Sequence, residues 1–189
     1  GLYDLKYSNG WGPKISDVQG TVKDFKGDDV TLQAHPDNVK DFFNTGMTYN
    51  NSVAFSGGGD NSDYRISLAA LNQTGIIPNS KFDRYTVSLN SGRQFNSKLS
   101  SRIGISFIKS TGIGRSAQAS NNLNIATSSI FGMPRTTDIE KLQNNFQDIT
   151  GAQITLTSDR SGNNPYWITK YNKNNNNVDH NLGESFSFR

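Results

Sequence analysis

The side chains that most often carry out chemistry are sparse in this sequence. Its two histidines, His35 and His180, lie far apart and outside any metal-ligand spacing, so no metal site is predicted. The chain has no cysteine, which excludes a thiolate metal site and a cysteine nucleophile. The acidic pair Asp28-Asp29 lies in a polar stretch without the apolar pocket that would raise a carboxyl pKa. We therefore predict no catalytic residue, no metal and no cofactor, and expect that the chain is not an enzyme.

Two short motifs match known binding loops only in part. Gly112-Ile113-Gly114-Arg115 is rich in glycine like a phosphate loop, but it lacks the Lys-Ser/Thr ending and precedes no predicted helix. Asp60-Asn61-Ser62-Asp63 begins like a calcium loop, but it lacks the later glutamate. We interpret the first motif as a flexible loop and the second as a hairpin turn.

Three aromatic residues outside the regular segments are candidates for contact with a substrate or a partner. Trp11, Tyr166 and Trp167 lie in turn-rich stretches, where an exposed ring offers a flat surface for a sugar or a peptide. The alternative is that these rings anchor the folding of long loops. We favour this second interpretation, because aromatic residues that pack within loops are common.

The composition indicates which elements must position these residues. Of 189 residues, 33% are hydrophobic, 19% are charged and 11% are aromatic. The polar character comes largely from Asn, Ser, Thr and Gly, which are weak helix formers and suit strands joined by turns. The net charge of +3 is small and dispersed, so nucleic acid is not an expected partner. No apolar run approaches the roughly 18 to 20 residues of a transmembrane helix.

Apolar and polar residues alternate in four consecutive segments, which predicts an all-β antiparallel meander. These segments are Met47–Ser56, Tyr64–Leu71, Arg84–Gln94 and Leu99–Ile108. The predicted organisation is a loop-rich segment at 1–41, the meander at 42–109, a long loop at 110–177 and a fifth strand at 178–189. Within the long loop, the spacing of apolar residues predicts a short helix in Thr136–Gln147, with Thr137 as its cap.

The pairing of the strands can be predicted from the requirement that apolar residues share one face. Pairing Phe55 with Tyr64 and Leu89 with Ile105 satisfies it in both hairpins. Arg65, Arg84 and Arg102 then lie on the opposite, polar face. The apolar face comprises Tyr49, Val53, Phe55, Ile66, Leu68, Val87, Leu89, Ile103, Ile105 and Phe107.

Two architectures accommodate such a sheet. In a transmembrane β-barrel the apolar face contacts lipid and the three arginines face the lumen. In a soluble β-sandwich the apolar face packs on a second sheet. The aromatic residues near both ends of the apolar face, and the alternation of short and long connections, are typical of the barrel.

Several blocks of the sequence, in order and spacing, resemble the barrel region of SusC/RagA-type TonB-dependent outer-membrane transporters. The resemblance extends from about Trp11 to the C-terminus, and its blocks belong to the first part of a barrel of about 22 strands. The blocks are Trp11-Gly12-Pro13-Lys14, Pro36-Asp37-Asn38-Val39-Lys40-Asp41-Phe42-Phe43-Asn44-Thr45-Gly46, Tyr49-Asn50-Asn51-Ser52-Val53-Ala54, Ser56-Gly57-Gly58, Asn72-Gln73-Thr74-Gly75-Ile76-Ile77-Pro78-Asn79, Leu99-Ser100 and Asn164-Pro165-Tyr166-Trp167.

The resemblance implies nutrient uptake across the outer membrane of Bacteroidota. Its expected partners are TonB, a SusD-type surface lipoprotein, the lipid bilayer, and a glycan or peptide substrate. The plug domain and the TonB box of that family are not found in these residues, so the chain is expected to be a fragment of a longer transporter. The 110–177 loop is expected to be extracellular, because barrels of this type keep their short turns on the periplasmic side. The alternatives are a secreted β-sandwich module that binds carbohydrate or acts as an adhesin, and a β-rich hydrolase, which would need a carboxylate pair that the sequence does not show.

Overall fold

The structure is a computed structural model that describes residues 13–117, 124–125, 129–156, 163–171 and 176–180. Trp11 and most of the predicted fifth strand lie outside these residues. A 3-10 turn at Ile15–Asp17 precedes the regular elements. In chain order these are β1 (Thr21–Lys23), β2 (Asp29–Thr31), α1 (Asn38–Phe42), β3 (Met47–Gly59), β4 (Ser62–Thr74), β5 (Lys81–Asn96), β6 (Leu99–Ile113), α2 (Ile139–Asn144), α3 (Pro165–Tyr171) and β7 (Asn176–His180).

The chain divides into two compact units, each built from separate stretches of sequence. The helical unit comprises the described residues of Gly1–Thr45, Ile76–Asn79 and Gly114–Asn174. The sheet unit comprises those of Gly46–Gly75, Ser80–Ile113 and Asn175–Arg189. No helix in the described part of the chain is long and apolar enough to cross a membrane.

The sheet unit is a five-stranded antiparallel meander in the order β3-β4-β5-β6-β7. This confirms the all-β meander predicted from the alternating segments. The strands β3 to β6 contain 13, 13, 16 and 15 residues. β4 and β5 extend past the predicted segments at both ends, whereas β3 and β6 begin where predicted and extend past the predicted C-terminal end. At about 3.3 Å per residue, each strand is more than about 40 Å long.

The predicted register is correct in one hairpin and wrong by two residues in the other. Leu89 lies opposite Ile105, as predicted. Phe55 lies opposite Ile66, whereas Tyr64 lies opposite Gly57. In the observed register the Tyr64 ring lies against Gly57, where a Cβ atom would lie 2.7 Å from the Tyr64 hydroxyl oxygen. A shift of two residues keeps every side chain on its predicted face.

The β5–β6 hairpin contains an irregularity that alternation alone does not predict. The register shifts between Gln94 and Asn96, so Asn96 lies opposite Leu99 and Phe95 is the extra residue of a β-bulge. β7 pairs with the Ile108–Gly112 part of β6 and begins two residues before the predicted fifth strand. The rest of that predicted strand, 181–189, lies outside the described residues.

The register places all ten predicted apolar residues on one face of the sheet. All of them except the half-buried Ile105 have between 36% and 60% of their surface exposed. Arg65, Arg84 and Arg102 lie on the other face, where Arg102 forms an ion pair with Asp63 at 3.7 Å. This pair bridges Gly92 of β5, where a Cβ atom would lie 2.6 Å from an Asp63 carboxylate oxygen.

The helical unit contains a buried apolar core, although most of it was predicted as loop. The hairpin β1–β2 and the helices α1 and α3 were not predicted from the sequence, whereas α2 lies inside the predicted Thr136–Gln147 segment. The α2 cap is Asp138, whose side chain accepts a hydrogen bond from the Lys141 backbone N–H at 3.0 Å, and not the predicted Thr137. The buried core consists of Phe25, Phe42, Ile125, Ile130, Met133, Leu142, Leu156 and Ile168.

Candidate binding cleft

An open cleft of about 550 Å³ lies within the helical unit. This volume is in the range of about 300 to 1,000 Å³ that is typical of small-molecule sites. Residues from α1, the 76–79 loop, the end of α2 and α3 form its walls. They are Asp41, Phe42, Asn44, Pro78, Asn79, Gln143, Phe146, Tyr166, Thr169 and Lys170.

Asn38 fixes α1, which carries one wall of the cleft, to the turn before α2. Its side-chain amide donates hydrogen bonds to the backbone carbonyls of Pro134 at 2.8 Å and Thr137 at 3.1 Å. Its carbonyl oxygen accepts one from the Arg135 guanidinium at 3.0 Å. Because Asn38 is only 1% exposed, loss of its amide would leave the buried Thr137 carbonyl without this donor, whereas the Pro134 carbonyl would keep its bond from the Thr137 N–H at 3.1 Å.

Asn164 performs the same task for α3, the opposite wall. Its side-chain amide donates to the carbonyls of Leu142 at 3.4 Å and Ile154 at 3.2 Å. Its side-chain oxygen accepts from the Tyr166 backbone N–H at 3.0 Å, as an N-cap does. Pro165 follows at the first helical position, where its missing N–H has no cost.

The short 76–79 loop contributes a third wall. The Asn44 backbone N–H donates to the Ile76 carbonyl at 2.8 Å, and Ile77 packs against the buried core. Asn79 has φ of +63°, a left-handed conformation that asparagine adopts more readily than most residues.

The cleft contains one negative and one positive side chain, and neither forms an ion pair within the described residues. The Lys170 ammonium lies 4.7 Å from the centre of the Phe146 ring and 3.5 Å from the Gln147 side-chain oxygen. Burial raises the pKa of Tyr166 above its usual 10.0, and the negative charge of Asp41 raises this pKa further. Asp41 and Tyr166 both line the cleft.

The structure separates the three aromatic residues that the sequence marked as contact candidates. Tyr166 lines the cleft and packs edge-on against Phe42, with ring centres 5.3 Å apart. Trp167 lies outside the cleft lining, and its indole N–H donates to the Gly151 carbonyl at 3.2 Å. Both rings pack against the buried core, as the anchoring interpretation predicts, whereas ligand contact stays a prediction. Trp11 lies outside the described residues.

Sequence reasoning did not identify the other polar residues of the cleft. Asp41, Asn79, Gln143 and Lys170 come from four separate stretches and match no motif that carries chemistry. The only local signal was the helical spacing that predicted α2, which placed Phe146 near one end of that helix.

A smaller cavity of about 100 Å³ borders an ionic cluster between the β1–β2 hairpin and α2. The buried Asp24 carboxylate pairs with Lys141, and Lys141 contacts Asp28 at 2.8 Å. The hydrogen bonds to Asp24 and Asp28 raise the Lys141 pKa, and the bond from Lys141 lowers the Asp28 pKa. Because the cavity is small and its charges are paired, we assign this cluster a structural role.

Comparison with known proteins gives a partial match. No known family profile matches the sequence. The chain is similar to TonB-dependent receptor P3 of Formosa agariphila, with 34% identity over 86 residues. The match covers 46% of this chain and 9% of the relative, so the matched part spans less than a tenth of that protein's length. The chain is therefore similar to part of a TonB-dependent receptor.

Proposed function

We propose that the chain is part of the β-barrel of a SusC/RagA-type TonB-dependent transporter in the outer membrane of a member of the Bacteroidota. The transporter imports oligosaccharides or peptides together with a SusD-type surface lipoprotein. TonB would act through a part of the protein that is not among these residues. The proposal includes no chemical reaction for this chain.

The exposed apolar face of the sheet carries this proposal. Ring and aliphatic side chains such as Phe55 and Val87, which are 60% and 43% exposed, form a continuous apolar surface along four strands. A surface of this kind is unfavourable in water but suits contact with lipid. The strands of 13 to 16 residues exceed the roughly 9 to 11 residues needed to cross a bilayer.

The similarity to a TonB-dependent receptor independently supports the coarser part of the proposal, a role in an outer-membrane transporter. In a soluble sandwich, a second sheet would have to cover the apolar face. The other sheet in the described residues has two strands of three residues each, which is too small for that task. The lumen of the proposed barrel would contain Arg65, Arg84 and Arg102.

The connections between strands support an extracellular position for the 114–175 connection. Two-residue turns join β3 to β4 and β5 to β6, whereas six residues join β4 to β5. Because outer-membrane barrels keep short turns on the periplasmic side, the longer connections belong to the cell surface. Substrate and the lipoprotein would then approach from the side of the longer connections.

Localisation and transport in the native organism test the proposal. We expect the full-length protein in the outer-membrane fraction, and a cysteine introduced at the exposed Asn144 should react with an impermeant maleimide in intact cells. Deletion of the gene should abolish uptake of a radiolabelled substrate pool of oligosaccharides and peptides, and a protonophore should abolish it in the wild type. A soluble secreted protein would instead support the adhesin or carbohydrate-binding alternative.

A further inference from the structure

We propose that the cleft of the helical unit binds a short peptide with free termini, with Asp41 contacting its ammonium group and Lys170 contacting its carboxylate. The inference rests on the proposed function and deepens it, because it chooses one of the two substrate classes.

The two charged side chains carry this inference. Asp41 and Lys170 line the same cleft, and neither has an oppositely charged partner among the described residues. A zwitterionic ligand would satisfy both charges at once, with charge-assisted hydrogen bonds at each end. A neutral saccharide would leave both of them without a counter-charge.

Other polar groups of the cleft fit a peptide backbone. The side chains of Asn44, Asn79 and Gln143 line the cleft and form no hydrogen bond to the protein within the described residues. The same holds for the Tyr166 hydroxyl. Each amide side chain supplies two donors and one acceptor oxygen, which complements the N–H and C=O groups of a peptide.

The two helices that carry the charged residues are in contact before any ligand arrives. Asp41 belongs to α1 and Lys170 to α3, and the two helices meet through the contact between the rings of Phe42 and Tyr166. The exposed Lys170 ammonium lies beside the Phe146 ring and the Gln147 side-chain oxygen. Such preorganisation reduces the entropy that is lost on binding.

The test uses the full-length transporter, purified in detergent and immobilised. We would incubate it with a library of short peptides with free termini, with the same library N-acetylated or C-amidated, and with a set of neutral oligosaccharides. Mass spectrometry of the retained material then gives the relative affinity of each class. We expect retention of the free peptides, and loss of about tenfold or more after either modification.

Single substitutions test which residue of the cleft binds which terminus of the peptide. Asp41→Asn should lower retention of free peptides to that of the acetylated library, and N-acetylation should then have no further effect on retention. Lys170→Met should lower retention of free peptides to that of the amidated library, and C-amidation should then have no further effect. Tyr166→Phe, which keeps the ring, should weaken binding about three- to tenfold. Asn144→Ala changes an exposed amide outside the cleft and should retain wild-type binding.

Three results would overturn the inference. These are retention of saccharides alone, equal retention of free and blocked peptides, and wild-type retention by the Asp41 and Lys170 variants. Each variant is first shown to reach the outer membrane in wild-type amount, so a failure to fold is not mistaken for a loss of binding. Absence of the protein from that membrane would instead contradict the proposed function.

Discussion

The two units of the molecule use large apolar side chains in opposite ways. In the helical unit, Leu142 and Phe42 are 0% and 1% exposed. In the sheet unit, Leu68 and Phe55 are 41% and 60% exposed. The helical unit therefore has the burial pattern of a small protein in water, whereas the sheet presents its apolar residues outward.

This difference shows that alternation alone does not determine which medium an apolar face contacts. A period of two specifies which residues share a face of the sheet, and the paired register specifies how far that face extends. Whether the face meets a second sheet or a bilayer depends on what the rest of the chain offers to cover it.

The largest expected effect comes from shortening one leucine in each unit. We predict that Leu142→Ala destabilises the helical unit by about 2 to 5 kcal/mol, because it leaves a cavity in a close-packed core. Leu68→Ala should lower the stability of the sheet unit much less, because lipid chains can fill the space beside an exposed side chain. Hydrogen exchange of the α1 and α3 backbone in the full-length protein would measure the change in local opening free energy.

Equal effects of the two leucine substitutions would remove the contrast between the units. The Leu68 variant also serves as a control, since protection of the helical unit should be unchanged in it.

A charged substitution on the apolar face tests the comparison of the two units in the sheet unit. We predict that Leu68→Arg destabilises the folded barrel by about 2 to 4 kcal/mol, the cost of placing arginine near the middle of a bilayer. Its neighbour Ser67 lies on the polar face, so Ser67→Arg should have little effect. The amount of folded protein in the outer membrane, assessed by the shift in gel mobility on heating, would distinguish the two variants.

A smaller effect is expected from the buried amide that caps α3. Asn164→Ala removes three hydrogen bonds and leaves buried carbonyls without partners, which should cost about 1 to 3 kcal/mol. The exposed Asn144→Ala serves as the matched control. The same hydrogen-exchange experiment should show faster exchange in α3 for the Asn164 variant only, and identical exchange in both would contradict the assigned role.

The smallest effect is a pH dependence of the Asp24, Asp28 and Lys141 cluster. The Asp28 pKa lies below its usual 3.8 in the folded state, so its contribution is present above that pH and is lost as the pH falls through the lowered pKa. The Lys141 pKa lies above its usual 10.5, so its contribution is present below that pH and is lost in stronger alkali.

The Lys141→Met variant tests this pH dependence. In the wild type, hydrogen-exchange protection of the β1–β2 hairpin, corrected for intrinsic rates, should fall in strong alkali and in acid. In the Lys141→Met variant the fall in alkali should be absent and the fall in acid should be smaller. The exposed Lys40→Met should retain the wild-type profile. A Lys141 variant with an unchanged profile would show that the ion pairs do not stabilise the hairpin.

The sequence predicted the sheet better than it predicted the cleft, for a physical reason. Strand pairing such as Val87 with Phe107 follows from a local period, whereas the two-residue shift of the β3–β4 register and the bulge at Phe95 do not. Helices α1 and α3 have five and seven residues, and no apolar spacing like that of α2 was recognised in them.

The cleft depends instead on contacts between distant parts of the chain. The hydrogen bonds from Asn38 to the Pro134 and Thr137 carbonyls join residues almost a hundred positions apart. The lone sequence has no pattern that indicates such contacts, and Asn164-Pro165 could be interpreted as a loop signal as readily as a helix cap.

The central claim is that the apolar face of the sheet contacts lipid, and a spin-label scan tests it most directly. The 189 residues contain no cysteine. Once any cysteine elsewhere in the full-length protein is replaced by serine, a nitroxide can be attached to single cysteines along β5 and the protein reconstituted in a bilayer. The account predicts alternation: labels at Val87 and Leu89 should collide mainly with lipid-soluble oxygen, and those at Thr86 and Ser88 with a water-soluble nickel chelate. Labels at Val87 and Leu89 that are inaccessible to both reagents, or accessible mainly to the nickel chelate, would contradict the account.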